Sequence, residues 1–121
     1  MRMKTREELV QDFMDATDNG TDRLEVSIKC FIEEVDELSN ELYNMLEAPL
    51  LFSRENLVKE LADVQYVLSQ LANALDVDLD QAFIRVHESN MTKTVDGKVL
   101  RREDGKILKP DTYVAPDLSD L

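Results

Sequence analysis

Two acidic segments, each within a run of helical periodicity, most strongly constrain how this chain can fold. One reads CFIEEVDEL and carries Glu34 and Glu37, and the other reads KELADV and carries Glu60 and Asp63. Carboxylates at this spacing project from one side of a helix, because three residues make nearly one turn. Two such helices packed side by side would gather four or more carboxylates, which is unstable unless a cation lies between them. The two segments therefore predict neighbouring helices with a divalent metal site between them.

Helical periodicity and helix-capping signals divide most of the chain into four predicted helices. The capping-box pairs are Thr5 with Glu8, Asp22 with Glu25, and Asp78 with Gln81, and the stop signals are Asn19-Gly20 and Pro49. The predicted helices cover about residues 5–19, 22–47, 54–75 and 79–91.

The second and third predicted helices carry long apolar stripes that define a core face. The short connection between these helices predicts an antiparallel arrangement, and hence an all-α four-helix bundle. Four helices in a single domain of 121 residues bury little by themselves, so we expect the long helices to pack against a second copy of the chain. The predicted core residues are Leu24, Ile28, Phe31, Ile32, Val35, Leu38 and Leu42 on helix two, and Leu57, Leu61, Val64, Leu68, Leu71 and Leu75 on helix three.

The pattern changes after the fourth predicted helix, where DGKVL is followed by DGKIL. Asp-Gly is a strong turn signal, which predicts a small β-hairpin turning at Asp104-Gly105. In this hairpin Val99–Arg102 would pair with Lys106–Leu108, and an extended tail would follow Pro110. We therefore expect one domain that consists of a helical catalytic region, residues 1–93, and a hairpin with its tail, residues 94–121.

The charge balance excludes some binding partners. The chain has 26 acidic and 14 basic residues, a net charge of -12. Nucleic-acid backbones and anionic membrane surfaces both attract basic proteins, so neither partner is expected. The single cysteine, Cys30, cannot form an internal disulfide, and the first residues lack the apolar core of a signal peptide. We expect a cytoplasmic protein.

The acidic rows have a simpler interpretation, namely a solvated helix face. Glu60 argues against it, because Glu60 lies inside the apolar stripe of helix three, where an unpaired carboxylate is costly. A salt bridge to a buried base is the alternative, but Arg54 and Lys59 fall elsewhere on the helical wheel. Oxygen ligands alone favour Mg²⁺ or Mn²⁺, and with His87 as the only histidine a zinc site is not expected.

These residues also form a pattern that resembles a known family. Glu33-Glu34-Val35-Asp36-Glu37, followed by Glu60-Leu61-Ala62-Asp63, is similar to the EExxE…ExxD signature of the MazG-like all-α nucleoside triphosphate pyrophosphatases. The later run VHESNMTK and the segment GKVLRREDGKILKP resemble a phage and bacterial subgroup of that family, often described as phosphoribosyl-ATP pyrophosphohydrolase-like. The resemblance covers nearly the whole chain.

The resemblance implies a reaction and a set of site residues. Family members hydrolyse a nucleoside triphosphate to the monophosphate and pyrophosphate, and they work as dimers or as dimers of dimers. Two or more Mg²⁺ or Mn²⁺ ions would be held by Glu34, Glu37, Glu60 and Asp63, with Glu33 in a supporting role. By the same correspondence, the phosphate contacts would be Asn90 and Lys93.

The catalytic roles are partly open at this stage. Glu34 or Glu37 would position or deprotonate the attacking water, and Lys93, with Arg101 or Arg102, would neutralise the leaving pyrophosphate. A charged hairpin surface explains the two arginines equally well.

The substrate is open as well. A purine such as dGTP is suggested only by the roles of phage members of the family. Two other functions compete with this one. They are hydrolysis of phosphoribosyl-ATP and a non-enzymatic role as an acidic mimic of DNA.

Overall fold

The fold is all-α, as the sequence predicts. The computed structural model describes residues 2–17 and 23–121. Over these ranges it contains α1 (Arg6–Thr17), α2 (Arg23–Glu47), a 3₁₀ helix (Pro49–Leu51), α3 (Arg54–Ala74) and α4 (Leu79–Met91). The predicted end of the first helix at Asn19-Gly20 and the predicted cap at Asp22 lie outside the described residues.

Local capping explains where three of these helices begin. The N–H group of Thr5 donates to Glu8 Oε1 at 3.1 Å, and the N–H group of Glu8 donates to Thr5 Oγ1 at 3.2 Å. This reciprocal pair is the predicted capping box. The side chains of Ser53 and Asp78 accept N–H groups in the first turns of α3 and α4. The helix starts therefore follow from side chains that satisfy otherwise unpaired N–H groups.

The helices α2 and α3 form an antiparallel pair, fixed by hydrogen bonds at both ends. Near the end of α2, Glu41 accepts the N–H group of Ser53 at 2.8 Å and the side-chain amide of Asn56 at 2.6 Å. Near the other end, the amide of Gln70 donates to Ser27 Oγ at 3.2 Å. Because the end of α2 contacts the beginning of α3 and the reverse, the two helices run in opposite directions.

The first helix, α1, packs against α3. Val10 and Met14 are buried on α1. Ser69 Oγ donates to the Glu7 carboxylate at 3.2 Å, and the Asn73 amide donates to the Glu7 carbonyl at 2.9 Å. These polar contacts fix the position of α1 along α3 and satisfy polar groups at the interface.

The predicted core faces of α2 and α3 are only partly covered within one chain. Among the described residues, the buried apolar side chains are those of Val10, Met14, Val67 and Ala72. Much of this stripe is therefore not core within a single chain, because each long helix has too few neighbours to surround it, and its burial against a second copy stays a prediction. The predicted core residues that are exposed are Leu24, Ile28, Ile32, Leu42, Leu61, Leu68 and Leu75.

The chain divides into two compact units, Met1–Val77 and Asp78–Leu121. The first contains α1, α2 and α3, and the second contains α4 and the segment that follows it. A bundle of all four helices stays a prediction, as does the division of the domain after residue 93. No helix in the described ranges has the length and apolar character needed to cross a membrane.

The predicted C-terminal β-hairpin is not supported as a pair of strands. The described part of this segment contains two isolated antiparallel bridges, Val95 with Lys98 and Arg101 with Ile107. Asp96 and Gly97 have φ angles of 52° and 74°, so this Asp-Gly pair makes a tight turn of its own. A chain that reverses twice in so few residues leaves each bridge without neighbours to extend it into a ladder.

Candidate functional site

Three carboxylates on α2 and α3 converge. Glu34, Glu37 and Glu60 each contribute an oxygen, and these oxygens all lie within 4.8 Å of one another. The antiparallel register explains this meeting. One turn along α3 from Asn56 leads to Glu60, and one turn back along α2 from Glu41 leads to Glu37. The convergence predicted from the two acidic segments is therefore present for these three carboxylates.

The three-carboxylate group contains buried oxygens that the protein does not satisfy. The Glu60 side chain is buried, with 7% relative exposure, and Glu34 is half-buried. Glu34 Oε2 and Glu60 Oε2 are both buried without a hydrogen-bond partner. Buried carboxylate oxygens are nearly always paired, so two orphans in one group mark a place that a proton, a water or a cation would satisfy. A divalent cation with oxygen ligands fits this donor set.

The electrostatics of the group favour a cation as well. Burial raises the pKa of Glu34, and repulsion by Glu37 and Asp63 raises it further. Burial likewise raises the pKa of Glu60, although the charge of Lys59 partly opposes this effect. A nearby positive charge would stabilise the ionised forms of both residues.

Asp63 is placed differently from the other predicted ligands. Its carboxylate forms an ion pair with Lys59 Nζ at 2.7 Å, and it is not among the three converging carboxylates. On the helical wheel Lys59 points away from Glu60, which excludes that ion pair but not one with Asp63. The signal for this pairing is their spacing of one helical turn. A ligand role for Asp63 stays a prediction.

Two other acids on α2, Glu33 and Glu41, lie outside the three-carboxylate group. Glu33 is exposed and does not belong to the three-carboxylate group, so its supporting role stays a prediction. Glu41 is buried but fully engaged, because its two oxygens accept hydrogen bonds from Ser53 and Asn56. These hydrogen bonds hold the pKa of Glu41 below its usual value. The acids of α2 therefore differ in structure: Glu41 is hydrogen-bonded to the start of α3, Glu34 and Glu37 join the three-carboxylate group, and Glu33 is exposed.

The two arginines proposed as phosphate contacts make contacts within their own turn. Arg102 forms an ion pair with Asp104 at 2.6 Å. Arg101 donates to the carbonyl oxygen of Gly105 at 2.8 Å. These contacts favour the interpretation of a charged turn for both arginines, and their role in phosphate binding stays a prediction.

Asn90 and Lys93, the other predicted phosphate contacts, lie at the end of α4. Asn90 is exposed, and its carbonyl accepts the N–H group of Lys93 at 3.1 Å. Lys93 Nζ lies 5.8 Å from the centre of the Tyr113 ring, and Lys109 Nζ lies 5.0 Å from the same ring. No sequence signal connects Lys93 with Lys109 or Tyr113, because both lie beyond the turns that follow α4.

Comparison with known proteins adds one finding to this geometry. Residues 2–90 match the family described as phosphoribosyl-ATP pyrophosphohydrolase. This range includes Glu34, Glu37, Glu60 and Asp63. No curated protein matches the chain. Since the family match spans well over half of the 121 residues, the chain belongs to the phosphoribosyl-ATP pyrophosphohydrolase family, a MazG-like family of all-α pyrophosphohydrolases.

Proposed function

We propose that this protein hydrolyses a nucleoside or deoxynucleoside triphosphate between the α- and β-phosphates, with Mg²⁺ or Mn²⁺, and releases the monophosphate and pyrophosphate. Family membership supports pyrophosphohydrolase activity on a nucleotide-like substrate. The single observation that carries the metal dependence is the group of Glu34, Glu37 and Glu60, with its two buried and unpartnered oxygens.

Glu34, Glu37 and Glu60 would hold the ions, and Asp63 and Glu33 would be further ligands. Ions bound there would offset the charge of the triphosphate and lower the pKa of water. Bound cations would also offset the protein's net charge of -12, which otherwise repels a polyphosphate. Lys59 engages Oδ2 of Asp63 at 2.7 Å, so Asp63 would bind an ion through Oδ1 or after Lys59 moves away.

The chain's own carboxylates would also orient the nucleophile. A water oxygen attacks the α-phosphorus, the bond from that phosphorus to the bridging oxygen breaks, and pyrophosphate leaves in line. Glu37, which is exposed, would accept the proton of the water; Glu34, which is half-buried and whose pKa is raised by burial, is the alternative base. Asn90 and Lys93 would contact the phosphates, with Arg101 and Arg102 as weaker candidates.

The variant Glu37→Gln tests this assignment. It should reduce cation-dependent pyrophosphate release by at least about a hundredfold, the usual contribution of a positioned base. Asp36→Asn is the matched control, because Asp36 is an exposed acid on the same helix and outside the three-carboxylate group. If Glu37→Gln released pyrophosphate at the normal rate, the assignment of the base would be wrong.

A second candidate function is hydrolysis of phosphoribosyl-ATP, which the description of the matching family favours. It breaks the same kind of bond and would use the same carboxylates. A panel of nucleoside triphosphates, deoxynucleoside triphosphates and phosphoribosyl-ATP, with pyrophosphate as the readout, separates the two. We expect a purine deoxynucleotide such as dGTP among the substrates of the first candidate. Hydrolysis of phosphoribosyl-ATP alone would favour the second.

The exposed apolar stripes support a homo-oligomer. Ile32 is 55% exposed and Leu61 is 50% exposed, although both lie on faces that the sequence pattern assigns to a core. A patch of this kind on α2 and α3 would be covered by the same patch of a second copy. Light scattering on a size-exclusion column tests this, and a monomer at all concentrations would contradict it.

The remaining alternative is an acidic mimic of DNA. Such a protein would hydrolyse no nucleotide, and divalent cations would not change its thermal midpoint.

A further inference from the structure

Two Asp-Gly pairs, Asp96-Gly97 and Asp104-Gly105, lie in the exposed turns that follow α4. An Asp side chain can cyclise onto the peptide nitrogen of the next residue, and glycine favours this because it has no side chain to obstruct the approach. A Cβ atom built on either glycine would have no heavy atom within 4 Å beyond the adjoining residues. The space around the two pairs is therefore equally open, and only their contacts distinguish them.

Both reacting groups of the Asp104-Gly105 pair are engaged. The Gly105 N–H group donates to the Arg102 carbonyl at 2.9 Å. The Asp104 carboxylate pairs with Arg102 at 2.6 Å and accepts the N–H group of Lys106 at 3.1 Å. The hydrogen bond from Arg102, followed by that from Lys106, holds the pKa of Asp104 below its usual value. Asp104 therefore stays in the ionised form, which has no hydroxyl group to leave as water.

The Asp96-Gly97 pair lacks these restraints. Its turn is closed by the flanking residues, because the N–H groups of Val95 and Lys98 donate to each other's carbonyl oxygens at 2.7 and 2.9 Å. Within residues 2–17 and 23–121, neither the Gly97 N–H group nor the Asp96 carboxylate has a hydrogen-bond partner. Asp96 also has a φ angle of 52°, a left-handed conformation that costs free energy, so opening of this turn relieves strain.

We propose that Asp96 is a site of spontaneous isomerisation to isoaspartate, and that Asp104 is protected from the same reaction. The Gly97 nitrogen attacks the carboxyl carbon of the Asp96 side chain, which closes a cyclic succinimide. The carboxyl hydroxyl leaves as water with the proton of the amide. A water molecule then opens the ring at the main-chain carbonyl, so that the chain continues through the Asp96 side chain. One water is released and one is consumed, so the mass is unchanged and no cofactor is needed.

Isomerisation changes the turn and creates a new chemical group on it. It inserts the Asp96 Cβ into the backbone, so the two-residue turn no longer aligns Val95 with Lys98, and their hydrogen bonds are lost. The former main-chain carbonyl of Asp96 becomes a free carboxylate. This carboxylate is the group that isoaspartyl carboxyl methyltransferases methylate with S-adenosylmethionine, so the aged chain is a substrate for that class of enzyme.

Peptide mapping of the aged full-length chain tests the proposal. Fragmentation by electron transfer distinguishes isoaspartate from aspartate in each peptide. We expect about tenfold more isoaspartate at Asp96 than at Asp104, the factor by which one hydrogen bond to a charged group restrains a side chain. The chain unfolded in urea is the control, and there the two positions should react at similar rates. Equal yields in the folded chain, or the same preference in the unfolded chain, would overturn the proposal.

Substitution of Arg102 tests the protection of Asp104. Arg102→Met removes the ion pair and should raise isoaspartate at Asp104 several-fold, with no change at Asp96. Lys106→Met is the matched control, because it removes an exposed charge of the same turn but keeps the N–H group that Asp104 accepts. Circular dichroism shows whether each variant is folded. An unchanged yield at Asp104 in folded Arg102→Met, or an equal rise in both variants, would show that the ion pair does not protect Asp104.

Methylation by an isoaspartyl carboxyl methyltransferase gives an independent readout. Asn19-Gly20, which lies outside the described residues, can also cyclise, so the assay uses the chain with Asn19→Ser. Adding Asp96→Glu to this chain should remove most of the methyl incorporation after ageing, because a glutamate would have to close a larger and slower-forming ring. Full incorporation in the doubly substituted chain would exclude Asp96 as the site.

Discussion

Glu60→Gln should make the cation-free protein more stable and remove most of its response to a divalent cation. The substitution replaces a buried carboxylate by an amide of nearly the same shape. The folded-state pKa of Glu60 is raised, chiefly by burial, so the ionised form is less favourable in the folded chain than in the unfolded chain. At neutral pH the charge therefore destabilises the fold, and its removal should raise the thermal midpoint.

The cation response follows from mass action. A cation at 100 times its dissociation constant adds about 2.7 kcal/mol to the free energy of unfolding of the wild type. Each kcal/mol moves the thermal midpoint by several degrees, about 2–8 °C for domains across this size range. Glu60→Gln removes one of the three carboxylates that converge. If the affinity falls about a hundredfold, the same cation concentration shifts the unfolding equilibrium of the variant only about twofold.

Thermal unfolding with a chelator and with millimolar Mn²⁺, at several pH values, measures both effects. The stability that the neutral form of Glu60 contributes is fully present below the unfolded-state pKa of 4.5, and it is lost as the pH rises through the raised folded-state value. The difference in thermal midpoint between variant and wild type should therefore appear at neutral pH and disappear at acidic pH. Asp36→Asn, which removes an exposed charge from α2, should show the wild-type cation response. The reasoning would be refuted if cation-free Glu60→Gln were less stable than wild type. It would also be refuted if Mn²⁺ raised the thermal midpoint of the variant as much as that of wild type.

Three further predictions concern the same unit. Mn²⁺ affinity measured by calorimetry should increase from pH 5 to pH 7, because Glu34 and Glu60, whose pKa values are raised, must release protons to bind an ion; a constant affinity would contradict this. Lys59→Met should tighten Mn²⁺ binding several-fold, since it frees Asp63 from its ion pair, and weaker binding would show that Lys59 assists the site. Ile32→Asp should shift the chain towards the monomer in light scattering and make the thermal midpoint independent of protein concentration, whereas unchanged assembly would exclude this face as the interface.

Local signals predicted the helices well because the interactions that define them are local. Thr5 and Glu8 satisfy each other's N–H groups within one turn, and Ser53 and Asp78 do the same for the helices they begin. The sequence could not show how much of each apolar stripe would be covered. Periodicity specifies that a face such as that of Ile32 is apolar, but coverage depends on neighbours that the pattern does not identify.

The candidate site was predictable to the extent that burial could be deduced from one helix. Glu60 stood out because it interrupts an apolar stripe, and it is buried with an unpartnered oxygen. Contacts between distant segments were not predictable. The approach of Lys93 to Tyr113 depends on the path of the chain after α4, for which the sequence offers only turn signals.

The register between α2 and α3 connects a hydrogen-bonded carboxylate, Glu41, with the group of Glu34, Glu37 and Glu60. Glu41 receives the N–H group of Ser53 and the amide of Asn56, which aligns the start of α3 with the end of α2. From that fixed point, one turn along each helix brings Glu60 beside Glu37. Glu41 therefore has satisfied oxygens and a lowered pKa, whereas Glu60 has an orphan oxygen and a raised pKa. The stability that the satisfied carboxylate contributes offsets part of the cost of holding the unsatisfied group together.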